Sequence, residues 1–271
     1  MSAPAEFLNA YNGIGAKKAS MPIYRMIILG ILAGVLIGMG AVVSTTGSFA
    51  VANPGLQKVV AGLLFPFGLI MVVFTGAELF TGNCLISIPV MDRKVSVGGM
   101  LRNWGPVYVG NFIGSLLLAA ACAYFGQIGL ADGALAAAAM KTALAKCSLS
   151  FGKALVFGIG CNFLVCLAVS CAIMAKSAPG KALGAYLPVA FFVMAGFEHS
   201  VANMYYIPVG LFAKTVPAYA AAAADAGLNL AALTWGNFLL HNLLPVTLGN
   251  IIGGVCYAAI LYYGHRVKNE G

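Results

Sequence analysis

The sequence predicts an all-α integral membrane protein with six spans arranged as two inverted halves. Of its 271 residues, 61% are hydrophobic and only 8% are charged, and the mean hydropathy is +0.95. Soluble domains carry about a quarter charged residues, so a chain this poor in charge requires the bilayer as its solvent. Six apolar stretches are long enough to cross a membrane: 22–46, 56–91, 102–126, 153–175, 183–214 and 232–263.

The connections and the positive charges indicate the domain organisation. No polar linker divides the apolar stretches, which predicts one transmembrane domain over 1–271. Ten of the fifteen Lys and Arg residues fall on one side of the predicted spans, which predicts an inner (plasma) membrane protein with both termini in the cytoplasm. Its predicted parts are an N-terminal surface helix, a first repeat, a connecting segment, a second repeat and a cytoplasmic tail, at 1–21, 22–126, 127–152, 153–263 and 264–271.

Composition also bears on partners and cofactors. The formal charge of +8 does not indicate nucleic-acid binding, because the charges lie between apolar spans and do not form one basic face. The seven cysteines contain no CxxC pair and most lie in apolar segments, where a thiol behaves as a small hydrophobic group. We therefore expect neither a metal site nor a cofactor.

An internal repeat relates the two halves of the chain. Residues 103–114 (NWGPVYVGNFIG) and 242–253 (NLLPVTLGNIIG) are identical at seven of twelve positions. Further matches follow in the same order: Gly76 and Glu78 with Gly196 and Glu198, Asn83 with Asn203, and Lys18 with Lys146. Spans one to three thus repeat as four to six. Because three is odd, the copies cross in opposite directions, an architecture typical of channels and secondary transporters.

The second and fifth predicted spans are too long for one straight crossing and carry ionisable residues near their middle. Glycines interrupt both, which predicts helices broken at membrane depth around a cavity or inside the protein. Glu78 and Glu198, with Asn83 and Asn203, are predicted to hold the broken loops, the carboxylates accepting backbone N–H bonds.

His199 breaks the symmetry of the repeat, since Leu79 occupies the equivalent position. An imidazole exchanges a proton near neutral pH, so this histidine is predicted to be functional. Lys146 lies in the third connection, either as a solvated loop lysine or as a group that attracts anions. Bulky rings such as Phe65 and Phe192 either pack or form a dry constriction.

Several stretches together resemble the formate/nitrite transporter family: GFEHSVANMYYIP, ELFTGN, CNFLVCLA and NLLPVTLGNIIGG. The likeness extends over nearly all of the chain. It implies an aquaporin-like protomer of six helices with broken second and fifth spans, and a homopentamer in which each protomer holds its own pore. Some formate members differ from TGN in the dipeptide after the threonine.

The resemblance also implies roles for individual residues. The pore would contain His199, Thr81, Asn162 and the vestibule lysine Lys146. A cytoplasmic constriction would be formed by Leu79 and Phe192, and an external one by Phe65.

The predicted function is transport of a small monovalent anion, formate first, with a proton as the second partner and lipid around the protein. A bare anion enters a dry ring at high cost, whereas the neutral acid does not. The sequence leaves open whether the proton comes through His199 or is taken up in the vestibule. Nitrite and hydrosulfide stay as alternative substrates. An aquaporin-type channel lacks support because no Asn-Pro-Ala repeat occurs, and an enzyme using Glu198 and His199 as acid and base is a distant alternative.

Overall fold

The computed structural model describes residues 3–266, and over this range every regular element is helical. Residues 267–271, the greater part of the predicted C-terminal tail, lie outside the described residues. The helices are α1 Pro4–Ser20, α2 Ile23–Ser48, α3 Pro54–Leu64, α4 Phe67–Thr75, α5 Phe80–Asn83, α6 Ser87–Met91, α7 Val97–Tyr124, α8 Ala134–Cys147, α9 Phe151–Met174, α10 Ala178–Ala195, α11 Ser200–Ala213, α12 Pro217–Asp225 and α13 Leu244–His265.

Six helical stretches of the described chain are long and apolar enough to cross a membrane: 23–48, 54–75, 97–124, 151–174, 178–195 and 237–265. Each coincides with or begins one of the six predicted spans, and the second and fifth predicted spans continue beyond the breaks into α5, α6 and α11. Several of the helices begin at polar caps that the sequence provides. The side chains of Ser96, Ser150 and Ser177 accept backbone N–H bonds at the starts of α7, α9 and α10. Such caps satisfy N–H groups that have no partner within the helix.

Glycines bring two helix pairs into backbone contact, one pair in each half. A Cβ on Gly110 of α7 would lie 2.9 Å from the Cα of Gly30 on α2, and one on Gly249 of α13 would lie 3.0 Å from the Cα of Gly158 on α9. Small residues allow such close approach between membrane helices. Because the four glycines are repeat-related, the α2–α7 and α9–α13 crossings are the same crossing built twice.

The second and fifth spans break in the same way. Gly76 ends α4 and Gly196 ends α10 with φ of 66° and 74°, a left-handed conformation that glycine adopts without strain. After the first break the backbone is extended at Leu79 before α5 begins, and after the second it is extended at His199 before α11 begins. The predicted fold, two inverted three-helix repeats with broken second and fifth helices, is confirmed.

The N-terminal helix α1 packs differently from the prediction. Its apolar residues Phe7, Leu8 and Tyr11 are buried in protein contacts instead of facing a bilayer surface. Gly15 lies against Pro89 of α6. The helix therefore covers the end of the bundle formed by α6, α7 and α13.

Two further helices lie in the connections on the opposite side. The segment 127–152 forms α8, as its short helical pattern suggests. The connection between spans five and six contains α12, which bends by 97° from α11 and was not predicted.

Candidate functional site

One asparagine clamps the first helix break. The side chain of Asn111 on α7 donates to the carbonyls of Gly30 and Glu78 at 2.8 and 2.9 Å, and its Oδ1 accepts from the N–H of Phe80 at 2.9 Å. It thereby satisfies backbone groups on both sides of the break and ties them to α2. Buried backbone groups without such partners would be costly at this depth.

Asn250 on α13 clamps the second break with the same geometry. Its side chain donates to the carbonyls of Gly158 and Glu198 at 2.8 and 3.0 Å and accepts from the N–H of Ser200 at 2.8 Å. In the sequence, both asparagines are visible only as identical positions of the repeat, and no role was predicted for them.

Behind the first break lies a buried polar cluster on the side of α1. The carboxylate of Glu78, 3% exposed, accepts from Lys18 Nζ and from the amide of Asn83, each at 2.6 Å. The Asn83 amide also donates to Asn103 Oδ1 at 2.8 Å. The prediction had this carboxylate accepting backbone N–H bonds, but its partners are side chains because Asn111 already satisfies the break.

The second break has an equivalent cluster. Lys146 Nζ lies 2.8 Å from Glu198 Oε1, while Glu198 Oε2 accepts from Asn203 at 2.6 Å and from Asn242 at 3.4 Å. The two carboxylates and four asparagines of the clusters were visible in the repeat. The lysine partners were visible only as a weak match between the two repeats, at Lys18 and Lys146.

Where the two breaks meet, His199 contacts Thr81. His199 is 3% exposed, and its Nδ1 accepts from the backbone N–H of Ala202 at 3.0 Å, capping α11. A ring whose Nδ1 accepts carries its proton on Nε2 and is neutral. Nε2–H therefore donates to Thr81 Oγ1 at 2.9 Å.

Above this pair is a cavity of about 820 Å³, which we call the vestibule. It lies on the side of the bundle away from α1, between α2, α3, α8, α11 and α12, and it reaches His199. Lys146, Phe65 and Phe192 line it.

The phenylalanines group differently from the prediction, which placed Phe192 with Leu79. The rings of Phe65 and Phe192 meet edge to face at 5.9 Å between centroids, and Phe192 stacks on His199, also at 5.9 Å. The helix α10 extends past His199 toward the vestibule before it ends, which brings Phe192 to that side. Leu79 is buried at the other break and does not line the vestibule.

Asn162 lies close to the pair without a hydrogen bond to it. Its amide donates to the carbonyl of Asn250 at 2.7 Å. Cys166 separates it from Thr81, with its Sγ 3.6 Å from the Thr81 carbonyl and 3.9 Å from Asn162 Oδ1.

Nearly the whole chain is similar to known channels and transporters. A family model described as formate/nitrite transporter matches residues 5–264. The chain belongs to the formate/nitrite transporter family. It is 39% identical to the probable formate transporter of Methanothermobacter thermautotrophicus over 98% of this chain and 97% of that one, and 37% identical to the formate channel FocA of Escherichia coli (strain K12) over 96% and 93%.

The fold is also similar to that of a solved structure. It is described as a pentameric formate channel with formate bound, and it matches with a TM-score of 0.80 at 36% identity over 91% of this chain and 97% of that one. Membership of the formate/nitrite transporter family and the six apolar helices make this a multi-pass membrane protein. These relatives are channels or transporters.

Proposed function

We propose that this protein transports a small monovalent anion, formate in the first place, through a pore in each protomer. The observation that carries the proposal is the buried Thr81–His199 pair at the meeting of two helix breaks, beneath a vestibule narrowed by Phe65 and Phe192. The formate channels among its relatives support formate as the substrate.

The proposed path runs from the vestibule past the two phenylalanines to the central pair. Lysines concentrate the anion in the vestibule, where water still solvates it. The ring pair offers no hydrogen bond to a charge, so the neutral acid passes it at much lower cost than the anion. Beyond the rings, the hydroxyl of Thr81 and Nε2 of His199 offer hydrogen bonds, with Asn162 nearby as a further polar pore residue.

The hydrogen bonds of His199 favour proton uptake in the vestibule over supply by the imidazole. The ring carries a single proton, because Nδ1 is occupied by the Ala202 N–H. Giving up that proton would leave an imidazolate unless the cap of α11 broke first. We therefore propose that His199 binds the passing acid by hydrogen bonding.

The proposed assembly is a homopentamer in the plasma membrane with both termini in the cytoplasm. The pentameric relative supports the assembly, and the excess of basic residues on the side of α1 supports the orientation. In this orientation Phe65 and the vestibule face outward, while Leu79 and α1 lie on the cytoplasmic side. Lipid or neighbouring protomers would cover outward apolar residues such as Phe191, 62% exposed.

Stopped-flow flux in proteoliposomes tests the proposal. We expect rapid uptake of formate that rises as the external pH falls from about 8 to 5, since a small carboxylic acid is increasingly neutral toward its pKa of about 4. Nitrite, hydrosulfide and lactate are measured in parallel. Faster hydrosulfide or nitrite flux would replace formate as the substrate, and no flux above empty liposomes for any of them would refute transport.

Two substitutions separate the imidazole of His199 from its capping role. Asparagine is a good N-cap, so His199→Asn keeps an acceptor for the Ala202 N–H, whereas His199→Ala does not. We expect His199→Asn to fold normally, to lower formate flux about tenfold through the lost Nε2–H, and to keep the rise toward acidic pH. A flat pH profile in His199→Asn would assign the proton supply to the histidine.

The paired rings are predicted to exclude the charged form. In Phe65→Ala/Phe192→Ala we expect formate flux at about pH 8 to rise about tenfold and its pH dependence to flatten, because water and the anion then pass. Phe191→Ala is the matched control, since this neighbouring ring faces outward. Unchanged discrimination against the anion in the double variant would show that the barrier lies elsewhere.

An acid–base role for Glu198 and His199 in catalysis has no support from their contacts. The carboxylate is held by Lys146 and Asn203, while the ring nitrogens bond to Ala202 and Thr81. The described side chains thus form two separate networks.

A further inference from the structure

Within residues 3–266, four lysines in different surroundings line the vestibule: Lys58, Lys141, Lys146 and Lys153. Lys146 is the one that the sequence singled out. Its ammonium is paired with Glu198 at 2.8 Å, with side chains 16% and 7% exposed. Seen from the vestibule, this pair is a dipole, so much of its attraction for an arriving anion is cancelled at a distance.

Lys58 is on the helix that leads to Phe65, and its ammonium forms no ion pair such as the one that Lys146 makes. It is on α3, seven residues or about two turns before Phe65, so Lys58, Ala61 and Phe65 share the face that lines the vestibule. No hydrogen bond or ion pair joins its ammonium to another residue within 3–266.

The ammonium of Lys58 extends from α3 along the neighbouring helix α10 toward the second break. It lies 3.5 Å from the position that a Cβ on Gly196 would take, at the end of α10. Two residues beyond Gly196 is Glu198, and three beyond is His199. The charge thus lies beside the end of α10, about one helical turn beyond Phe192.

We infer that Lys58 is the residue that binds the anion in the vestibule, beside the end of α10, and positions it for passage between Phe65 and Phe192. The inference rests on the proposed transport function. An ammonium without a partner can give a charge-assisted hydrogen bond to a carboxylate. Because the side chain is exposed to the vestibule, the bond forms in competition with water. Binding of this strength lets the anion enter and still leave, as conduction requires.

A purely structural role is the competing explanation. The C-terminus of α10 carries partial negative charge, and a nearby cation stabilises it. Such a role would change protein stability with little effect on the concentration dependence of transport. Binding the substrate would change the concentration dependence instead.

Formate uptake into proteoliposomes, measured against formate concentration, separates these roles. We expect Lys58→Met to raise the KM for formate about tenfold, with a smaller change in the maximal rate, and Lys58→Arg to restore a KM near that of the wild type. The matched control is Lys141→Met, an exposed vestibule lysine on α8, for which we expect less than a threefold change. Thermal unfolding of each variant is recorded alongside.

Chemical modification keeps the test decisive should Lys58→Met fail to fold. In Lys58→Cys, aminoethyl methanethiosulfonate restores a positive charge, and sulfonatoethyl methanethiosulfonate introduces a negative one. We expect the first reagent to lower the KM toward the wild-type value and the second to raise it further, with the treated wild type correcting for the native cysteines.

The outcomes distinguish this inference from the transport proposal. Wild-type transport with an unchanged KM in Lys58→Met, or equal effects of the two reagents, overturns the role of Lys58 and leaves transport standing. A lowered melting temperature with an unchanged KM assigns Lys58 to the end of α10 and likewise overturns it. If the wild-type protein gives no formate flux above that of empty liposomes, transport is refuted, and the proposed role of Lys58 is refuted as well.

Discussion

Lys146→Met is expected to lower the free energy of unfolding by about 3–5 kcal/mol, because it leaves the buried carboxylate of Glu198 without its counterion. That carboxylate is 7% exposed and retains only amide donors, Asn203 and Asn242, once the lysine is gone. Thermal and denaturant unfolding of the purified protein in detergent, followed by circular dichroism, measures the loss.

A double-mutant cycle with Glu198→Gln identifies the cause. The glutamine keeps an acceptor for Asn203 and removes the charge, so Lys146→Met/Glu198→Gln is expected to recover most of the stability that Lys146→Met loses. Lys141→Met, at an exposed position of the same helix α8, is expected to stay within about 0.5 kcal/mol of the wild type. If the double variant were as unstable as the sum of the single ones, the pair would not be coupled.

The inverted repeat explains how much of the fold was predictable. The motif shared by 103–114 and 242–253 contains both clamping asparagines, one glycine of each helix crossing and one asparagine of each carboxylate cluster. An architecture built twice from one set of contacts leaves two copies of the same residues in the sequence. The spans, the breaks and their relation could therefore be predicted from one chain.

Ion pairs between residues far apart in the sequence could not be predicted from it. Lys146 and Glu198 are 52 positions apart, and neither their hydropathy nor their spacing indicates that they touch. Which vestibule lysines lack an ion-pair partner depends on that pairing, so Lys58 did not stand out from the other lysines. Contacts of this kind are set by the tertiary fold.

The position of the rings depended on helix length. The resemblance to the family implied that Phe192 lies with Leu79, on the side opposite Phe65. Instead α10 runs for 18 residues before Gly196 ends it, and the chain then turns back toward the centre to reach His199. The ring therefore lies beside Phe65. The packing of α1 onto the bundle has a similar origin, since an apolar helix face does not reveal whether protein or lipid covers it.

Asn250→Ala is expected to destabilise the protein by about 3–5 kcal/mol, because one side chain satisfies three backbone groups at the second break. The carbonyls of Gly158 and Glu198 and the N–H of Ser200 would lose their partner where no water replaces it. Asn250→Asp is expected to lower the free energy of unfolding by as much, since a carboxylate keeps the acceptor for the Ser200 N–H and loses both donors. Unfolding by circular dichroism and the yield of assembled protein on size exclusion measure both variants.

Asn9→Ala is the control for that experiment, since Asn9 is exposed on α1 and makes no side-chain hydrogen bond among the described residues. We expect it to match the wild type. Wild-type stability in Asn250→Ala would mean that the break holds its shape without the clamp. A stable Asn250→Ala that lost formate flux would place the clamp in the positioning of His199, because the Ser200 N–H that it binds follows His199 directly at the start of α11.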